Sequence, residues 1–386
     1  MSSLELLVNA GRHGRYDTPM RVNLGAKLKG SAQVRLSEVD TGRPIPAQVD
    51  GEDLVFILPA LGAREERRLR VELGAEGHKH GGVKLADGAA SGLAIEISGK
   101  PFATYRYLPD GQFPIKARPF FYPVLGPGGV GMTRNYPMRA DVPNEKHDHP
   151  HHRGLWVAFG EVNGTDNWSE QKEHGFQKHR AFDELTSGPV FGRFTETLDW
   201  TSHQGRKDCE ETRRVTVWNM PQDARLLDLE VTFKATEGPI HFGDTKEGGI
   251  CSIRVPSSMD GVATGTIENS AGGVGEGECW GRAAHWVDYH GQVEGQHLGV
   301  AVLDHPYNLR HPTPWHVRDY GLFGANPFGH SYYKSSLLAN GSYTVPAGES
   351  LAFKYRVYFH RGCAKRGDVA SRWNDYAFAP SVKAAE

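Results

Sequence analysis

The sequence of 386 residues has little cysteine, almost no net charge and no long apolar run. The four cysteines show no CxxC or CxxH spacing, which argues against a disulfide framework or a zinc ribbon. Lys and Arg number 44 against 46 Asp and Glu, a balance that argues against a basic surface for nucleic acid or an anionic membrane. No segment approaches the roughly 20 apolar residues that span a bilayer, and the first residues lack a signal-peptide pattern. We therefore expect a soluble, cytoplasmic protein that binds neither nucleic acid nor membrane.

Short alternating segments separated by turns dominate the chain, which has 47 Gly and 23 Pro. Residues 351–359 show the clearest alternation, and a period of two predicts a strand with one buried face. No βαβ rhythm appears. Residues 368–376 form the one convincing helix pattern, with Asp368 as the expected N-cap. The predicted fold is all-β: a large antiparallel β-supersandwich with a small N-terminal β-sandwich domain.

A polar stretch at residues 74–92 predicts a linker between two domains. We divide the chain there into a small N-terminal domain, residues 1–80, and a large domain, residues 90–380, which carries the candidate active site. Four segments have little periodicity but many His, Trp and Tyr residues: 134–180, 241–256, 276–291 and 304–334. Such long irregular segments in a compact domain favour functional loops.

Histidine is abundant, with 19 residues, and it is clustered. Six histidines lie within 147–179 and four within 305–330, which predicts two halves of one pocket. Four of the first six fall in the run HDHPHHR at 147–153, where imidazoles can act as acids or bases or bind a divalent metal. A surface loop without function is the alternative. The candidates are catalytic His149, His151 and His152, and substrate-binding Arg153, Trp156 and Asn163.

Two further runs carry candidate residues. The turn TKEGG at 245–249 offers a cation and a carboxylate base, although a solvated hairpin turn has the same pattern. The run WHVRDY at 315–320 places His316, Arg318 and Tyr320 on one face of a strand, where an aromatic platform with polar neighbours can hold a sugar. A buried loop is the alternative. A weaker run at 276–289, with Glu276 and Asp288, is expected to line or support the pocket. The candidates are catalytic Glu247 and His316, and substrate-binding Lys246, Trp315, Arg318, Tyr320 and Asn326.

These motifs, DHPHHRGLW at 148–156, TKEGG, WHVRDYG and NPFG at 326–329, resemble in this order the bacterial PmoA-like family. The resemblance covers residues 10–378. The family label implies a methane monooxygenase subunit, which is an integral membrane protein, and the lack of a spanning segment argues against that activity. The family's genes tend to occur beside those of sugar dehydrogenases and isomerases, which implies carbohydrate catabolism. Its pattern is similar to the galactose-mutarotase-like supersandwich, whose concave sheet holds a sugar with His, Arg and a carboxylate.

Three functions are open at this point. The first is a carbohydrate-active enzyme of sugar or glycoside catabolism, of the lyase, hydrolase or epimerase type, that uses acid–base chemistry on a sugar or keto-sugar. The second is a non-catalytic sugar-binding protein. The third is a metal-dependent enzyme with a divalent metal at the cluster from His147 to His152; otherwise we expect no cofactor. The expected partner is a small carbohydrate, and a homo-oligomer is left open.

Overall fold

The computed structural model describes residues 3–28, 33–77, 81–89, 92–108, 117–333 and 339–384. Antiparallel strands dominate these residues and form five sheets. The predicted all-β class with large antiparallel sheets is therefore confirmed. None of the described helices is long and apolar enough to cross a membrane.

Two sheets near the N-terminus form a small sandwich. The five-stranded sheet contains β1 (Ser3–Asn9), β3 (Val34–Glu38), β4 (Pro44–Ile45), β7 (Glu66–Leu73) and β26 (Ser381–Ala384). The three-stranded sheet contains β2 (Thr18–Asn23), β5 (Ala47–Asp50) and β6 (Asp53–Leu58). Alternate residues of both sheets pack into one core that includes Leu36, Phe56 and Val71.

Two eight-stranded sheets form the large sandwich. The front sheet has, in spatial order, β22 (Trp315–Arg318), β23 (Leu322–Ala325), β18 (Gly248–Arg254), β12 (Leu155–Phe159), β11 (Phe120–Val124), β10 (Lys100–Arg106), β9 (Leu93–Ile97) and β8 (Val83–Asp87). The back sheet has β13 (Phe176–Thr186), β14 (Phe191–Thr201), β15 (Lys207–Trp218), β16 (Ala224–Lys234), β25 (Ser350–Arg361), β21 (Gln296–Asp304), β20 (Trp286–Val293) and β19 (Thr266–Asn269).

The remaining elements are short. They are the two-stranded sheet of β17 (Ile240–Phe242) and β24 (Tyr343–Val345), the helices α1 (Gly275–Cys279) and α2 (Val369–Ala377), and 3-10 turns at Gly25–Leu28, Pro127–Gly129, Ser257–Met259 and His330–Tyr332.

The main core lies between the front and back sheets. In β12, Leu155, Val157 and Phe159 face this core, whereas Trp156 and Ala158 belong to a separate cluster on the other side of the sheet. This alternation follows from the pleat, which turns successive side chains to opposite faces. The front sheet therefore has an outer face on which polar side chains are free to form a site.

The helix prediction at 368–376 is confirmed to within one residue by α2. The predicted cap is wrong: Asp368 has a left-handed backbone, with φ of 51°, and its side chain does not cap the helix. Its carboxylate instead accepts a hydrogen bond from the Ser371 hydroxyl, 2.8 Å away. The short helix α1 was not predicted, because five residues show no helical period.

Part of the predicted linker is a strand. Of residues 74–92, Val83–Asp87 forms β8 at the edge of the front sheet. Residues 78–80 and 90–91 lie outside the described residues. All four segments that we expected to be irregular contain strand residues: 134–180 includes β12, 241–256 includes β18, 276–291 includes most of β20, and 304–334 includes β22 and β23. Every residue of β18 is buried, so the alternation that reveals a half-exposed strand is absent there.

Candidate functional site

One row across the front sheet places candidate side chains on its outer face. Trp156 of β12 lies opposite Ser252 of β18, which lies opposite Gly324 of β23, which lies opposite His316 of β22. Val317, the neighbour of His316, faces the core between the sheets, so His316 points outward. The two residues between Trp156 and His316 on this row, Ser252 and Gly324, have small side chains and therefore leave space between the two rings.

A pocket of about 680 Å³ opens on this outer face. Its lining comes from three segments that are distant in the chain. The lining residues are His149, His151, His152, Trp168, Ser169, Gln171, Lys246, Glu247, His316, Arg318 and Tyr320. Eight of these were predicted from the sequence as catalytic or substrate-binding residues. The structure thus brings the three predicted motifs together in one place.

Arg254 fixes the histidine loop and the tautomer of one ring. Its guanidinium is fully buried and lies 2.7 Å from Asp148, 2.9 Å from Nδ1 of His152 and 4.9 Å from the ring centre of Tyr320. A guanidinium can only donate hydrogen bonds, so Nδ1 of His152 must accept. The neutral ring therefore carries its proton on Nε2. His152 is a hydrogen-bond donor at that atom.

Burial keeps three pocket imidazoles neutral. Burial, followed by the charge of Arg118, lowers the pKa of His151 to about 3. Burial, followed by the charge of Arg318, lowers the pKa of His316 to about 3. Burial also lowers the pKa of His152 well below its ordinary value, and its neighbours His151 and Arg254 add to the effect. At neutral pH these rings donate or accept hydrogen bonds without carrying charge.

His149 is arranged differently. Its ring stacks on those of Tyr320 and His152, with centroid distances of 4.6 and 4.9 Å. Its Nδ1 lies 3.3 Å from a carboxylate oxygen of Asp148. Burial opposes ionisation of Asp148, but the charges of Arg254 and Arg134 outweigh it and hold the pKa of Asp148 below its usual value. An ionised carboxylate beside Nδ1 favours the tautomer with its hydrogen on Nδ1, which leaves Nε2 of His149 as a hydrogen-bond acceptor.

The turn with Lys246 and Glu247 is anchored by the buried side chain of Asn326. The Lys246 ammonium lies 3.1 Å from a Glu247 carboxylate oxygen, and both side chains are partly exposed. Asn326 is fully buried, and its amide group donates to the carbonyls of Thr245 and Lys246 at 3.0 and 3.2 Å. Its oxygen accepts the backbone N–H groups of residues 328 and 329. Asn326 is therefore a positioning residue, not the substrate-binding residue that we predicted.

Arg318 is supported by the run that we expected to support the pocket. Its guanidinium donates to the Glu276 carboxylate at 2.7 Å and lies 5.7 Å from the ring centre of Trp280. Burial opposes ionisation of Arg318, but the hydrogen bond from Arg318 to Glu276 and the charge of Glu276 outweigh it and raise the pKa of Arg318. The same prediction is wrong for Asp288, which lies on β20 of the back sheet.

Two more predicted substrate-binding residues lie behind the pocket wall. Arg153 is buried and forms an ion pair with Glu170 at 2.7 Å; Glu170 also pairs with Arg118 at 2.8 Å. Trp156 is buried beneath His152, with ring centres 5.5 Å apart. Neither lines the pocket formed by the described residues. Both shape the loop that presents the histidines.

Trp315 and Asn163 also lie away from the pocket. Trp315 faces the core between the sheets, and its indole N–H donates to the carbonyl of Ala284 at 2.9 Å. The strand spacing that turns His316 toward the pocket turns Trp315 away from it. Asn163 adopts a left-handed turn, with φ of 51°, and its side-chain oxygen accepts the backbone N–H of His241 at 2.7 Å. Its role is to hold that turn.

The sequence did not identify Trp168, Ser169 and Gln171 as site residues, although all three line the pocket. The signal available in the sequence was the tryptophan at the end of the run VNGTDNW, residues 162–168. Nothing in the sequence pairs Arg254 with His152, since they are 102 residues apart. Contacts of this kind depend on strand register, which spacing alone does not reveal.

Four of the ten clustered histidines reach the pocket. His179 instead bonds to Glu196 at 2.6 Å, and His311 bonds to Asp304 at 2.7 Å. The prediction that all ten form two halves of one pocket is therefore wrong.

The divalent metal that the sequence left open at the cluster from His147 to His152 is not supported by the geometry. A metal site needs several ligand atoms close together. The described residues contain one group of three His, Cys, Asp or Glu side chains whose ligand atoms all lie within 4.8 Å of one another, and that group includes none of the histidines from His147 to His152. The Arg254 guanidinium, which donates to Nδ1 of His152, also places a positive charge beside this cluster, and that charge disfavours a cation there.

Comparisons with known proteins give a family and a set of similar folds. No curated protein matches the chain. An alpha-mannosidase from Enterococcus faecalis V583 is similar over 100% of this chain and 46% of its own, with 10% identity and a TM-score of 0.47. A protein in the Glycosyl Hydrolase Family 38 from Enterococcus faecalis is similar over 100% and 47%, with 10% identity and a TM-score of 0.45. This chain spans about half the length of those two chains.

A family model matches residues 92–374, which include the whole front sheet except β8, the whole back sheet and every residue that lines the pocket. The chain therefore belongs to this family, DUF6807, a family of unknown function.

Proposed function

We propose that the pocket binds a sugar or keto-sugar and performs acid–base chemistry on it, as a carbohydrate-active enzyme of the lyase, hydrolase or epimerase type. One observation supports this most directly. A single pocket of about 680 Å³ is lined by a carboxylate, two cations and a group of imidazoles of which three are neutral. This combination supplies a base and electrophilic donors around one substrate.

The lining suits a sugar in size and polarity. Pockets for small ligands combine apolar or aromatic walls with a few polar groups that fix orientation. Trp168 and Tyr320 provide aromatic surface, and Ser169, Gln171 and His316 provide hydrogen-bonding groups for hydroxyls. The resemblance to the PmoA-like family, a label that the matching family model does not carry, implies the same substrate class and a role in carbohydrate catabolism.

The chemistry proposed is removal of a proton next to a carbonyl. Glu247 is the one carboxylate among the described residues that line the pocket, so it is the first candidate for the base. As the C–H bond breaks, its proton passes to Glu247, its electron pair forms the C=C bond of an enolate, and the π pair of the carbonyl moves onto the oxygen. The Nε2–H of His152 and the charges of Lys246 and Arg318 stabilise that oxyanion. Delivery of a proton to the opposite face of the enolate gives an epimer, whereas departure of a leaving group from the next carbon, with the carbonyl re-formed, gives elimination.

A non-catalytic sugar-binding protein is the second candidate. The observation that favours it is the ion pair between Lys246 and Glu247, 3.1 Å apart, which satisfies the candidate base without any substrate. Neutral imidazoles also bind hydroxyls without transferring protons. In this case the pocket recognises the sugar and releases it unchanged.

The test is turnover of 3-keto-glycosides and aldoses by the purified full-length chain. We expect Glu247→Gln to lower turnover by about 100-fold or more while calorimetry still detects binding. The matched control is Glu237→Gln, an exposed turn residue that pairs with Lys207, and it should turn over substrate at the wild-type rate. Binding without turnover in the wild type would establish the second candidate. Equal turnover in wild type and Glu247→Gln would exclude Glu247 as the base.

A further inference from the structure

A second cluster of ligand-type side chains lies on the outer face of the back sheet, away from the pocket. Glu268 belongs to the edge strand β19, and Asp288 and His290 belong to its neighbour β20. Each offers one atom, and these three atoms lie within 4.8 Å of one another. Within the described part of the chain, no other group of His, Cys, Asp or Glu side chains has this spacing.

Two more histidines orient the buried members of the cluster. Nδ1 of His290 lies 2.9 Å from Nε2 of His297, which leaves Nε2 of His290 facing Glu268 at 3.4 Å. Nε2 of His360 lies 2.9 Å from one oxygen of Asp288, which leaves the other oxygen free. Outer hydrogen-bond partners of this kind orient the ligands of metal sites. The cluster therefore has an inner group of three ligands and an outer group of two histidines.

Two atoms of the inner group need a partner. Asp288 is fully buried, and its Oδ2 has no hydrogen-bond partner among the described residues. His290 is 7% exposed, and the same holds for its Nε2. Buried polar atoms are nearly always satisfied, and an unsatisfied carboxylate oxygen is especially unfavourable. A cation between these atoms would satisfy both.

The charges of the cluster also favour a cation. Glu268 and Asp288 lie directly opposite each other on adjacent strands. Like charges in that position destabilise a sheet. A divalent cation between the two carboxylates would offset both negative charges.

We propose that Glu268, Asp288 and His290 bind a divalent first-row transition metal such as Zn²⁺. One imidazole and two carboxylates suit such an ion, whereas Ca²⁺ takes oxygen ligands throughout. The Glu268 side chain is 32% exposed, so water reaches the remaining coordination positions from that side. The metal ties the edge strand β19 to β20. It lies across the core from the pocket, so this inference does not depend on the proposed function.

The test is calorimetric titration of ZnCl₂ into the metal-free full-length chain without a histidine tag. We expect one Zn²⁺ per chain and a rise in Tm of about 5 °C at saturation. Glu268→Gln should weaken binding at least about tenfold, because a neutral amide replaces a charged ligand. It should keep the fold, because Glu268 is partly exposed. The matched control is His203→Ala, an exposed turn histidine, which should bind as the wild type does.

A variant in the pocket distinguishes metal binding at the back-sheet cluster from metal binding at the pocket histidines. His151→Ala removes a ring of the pocket and leaves the back sheet intact, so we expect it to bind Zn²⁺ as tightly as the wild type. Loss of binding in His151→Ala with full binding in Glu268→Gln would place the metal in the pocket and overturn the proposal. The absence of stoichiometric binding by the wild type would overturn it as well.

Discussion

His152 shows how one neighbour decides what a residue can do. Spacing alone makes it one of several candidate acids or bases. The guanidinium of Arg254, 2.9 Å from Nδ1, forces the proton onto Nε2 and opposes a second proton on the ring. The residue is therefore suited to stabilise an oxyanion as a neutral donor and unsuited to act as the base.

Two substitutions of His152 separate these roles. His152→Gln keeps both an acceptor for Arg254 and an N–H donor, whereas His152→Ala keeps neither. We expect His152→Ala to lower kcat/KM about 100-fold on a substrate that the wild type converts, and His152→Gln to retain much of the activity. Steady-state kinetics of both variants measure the difference. Equal loss in both would indicate a proton-transfer role for His152.

The neutral imidazoles also make stability depend on pH. The pKa of His316 is about 3 in the folded chain, against an ordinary value of 6.5. Between these values the unfolded chain binds a proton that the folded chain does not, so stability falls as the pH falls. We expect His316 to contribute a loss of about 2 kcal/mol between pH 7.5 and pH 5. Urea unfolding measures this loss. Between pH 7.5 and pH 5 the unfolding free energy of His316→Gln should fall by about 2 kcal/mol less than that of the wild type, and an equal fall in both chains would contradict the lowered pKa.

At the level of single residues, site residues could be predicted from the sequence where strand spacing alone decides which way a side chain points. The alternation at 315–320 correctly turns His316 and Arg318 to one face. The same alternation already turned Trp315 the other way, and its position in the core follows from that. The pairing of Arg254 with His152 could not be predicted, because it depends on which strands become neighbours.

The turn at 245–249 is the element whose shape matters most for the pocket. It presents Lys246 and Glu247, and Asn326 anchors it through the carbonyls of Thr245 and Lys246. These hydrogen bonds bring the run NPFG at 326–329 into contact with the turn, although about 80 residues separate the two in the sequence.

Asn326→Asp tests this anchor. An aspartate keeps the acceptor for the N–H groups of residues 328 and 329, but it cannot donate to the two carbonyls and would repel them. We expect kcat/KM to fall at least about tenfold, because a small displacement of catalytic groups is costly. Unfolding free energy should fall by about 1–3 kcal/mol. Wild-type kinetics in a folded Asn326→Asp chain would show that the anchor has no role in catalysis.

Elements with a strong local pattern were predicted, and those without one were missed. Residues 351–359 became β25 and residues 368–376 became α2. β18 is buried along its whole length and has no alternation, so it could not be distinguished from a loop. β26 pairs with β1 across nearly the whole chain, a contact that no local pattern reveals.

At the scale of the whole molecule, we propose that residues 1–80 and 90–380 are two domains that unfold together. An apolar cluster that includes Val55 of the small sandwich and Phe191 and Val369 of the rest lies where they meet. Asp375 of α2 also pairs with Arg15 at 2.9 Å, and both side chains are 4% exposed.

Loss of this buried ion pair should lower the stability of both domains together. Asp375→Ala leaves Arg15 buried without its partner, and we expect unfolding free energy to fall by about 3 kcal/mol in a single transition. The matched control is Asp223→Ala, which breaks an exposed pair with Arg361 and should change stability by less than about 1 kcal/mol. Urea unfolding monitored by tryptophan fluorescence and by circular dichroism measures both. Two separate transitions in the wild type would contradict the coupling of the domains.

Hydrogen exchange at the substrate tests the proposed chemistry most directly. In D₂O, proton NMR of a 3-keto-glycoside shows whether the hydrogens next to the carbonyl are replaced by deuterium. We predict rapid exchange with the wild-type chain, exchange at least about 100-fold slower with Glu247→Gln, and wild-type exchange with Glu237→Gln. Exchange no faster with the wild type than in buffer, or equally fast with Glu247→Gln, would contradict acid–base chemistry in this pocket.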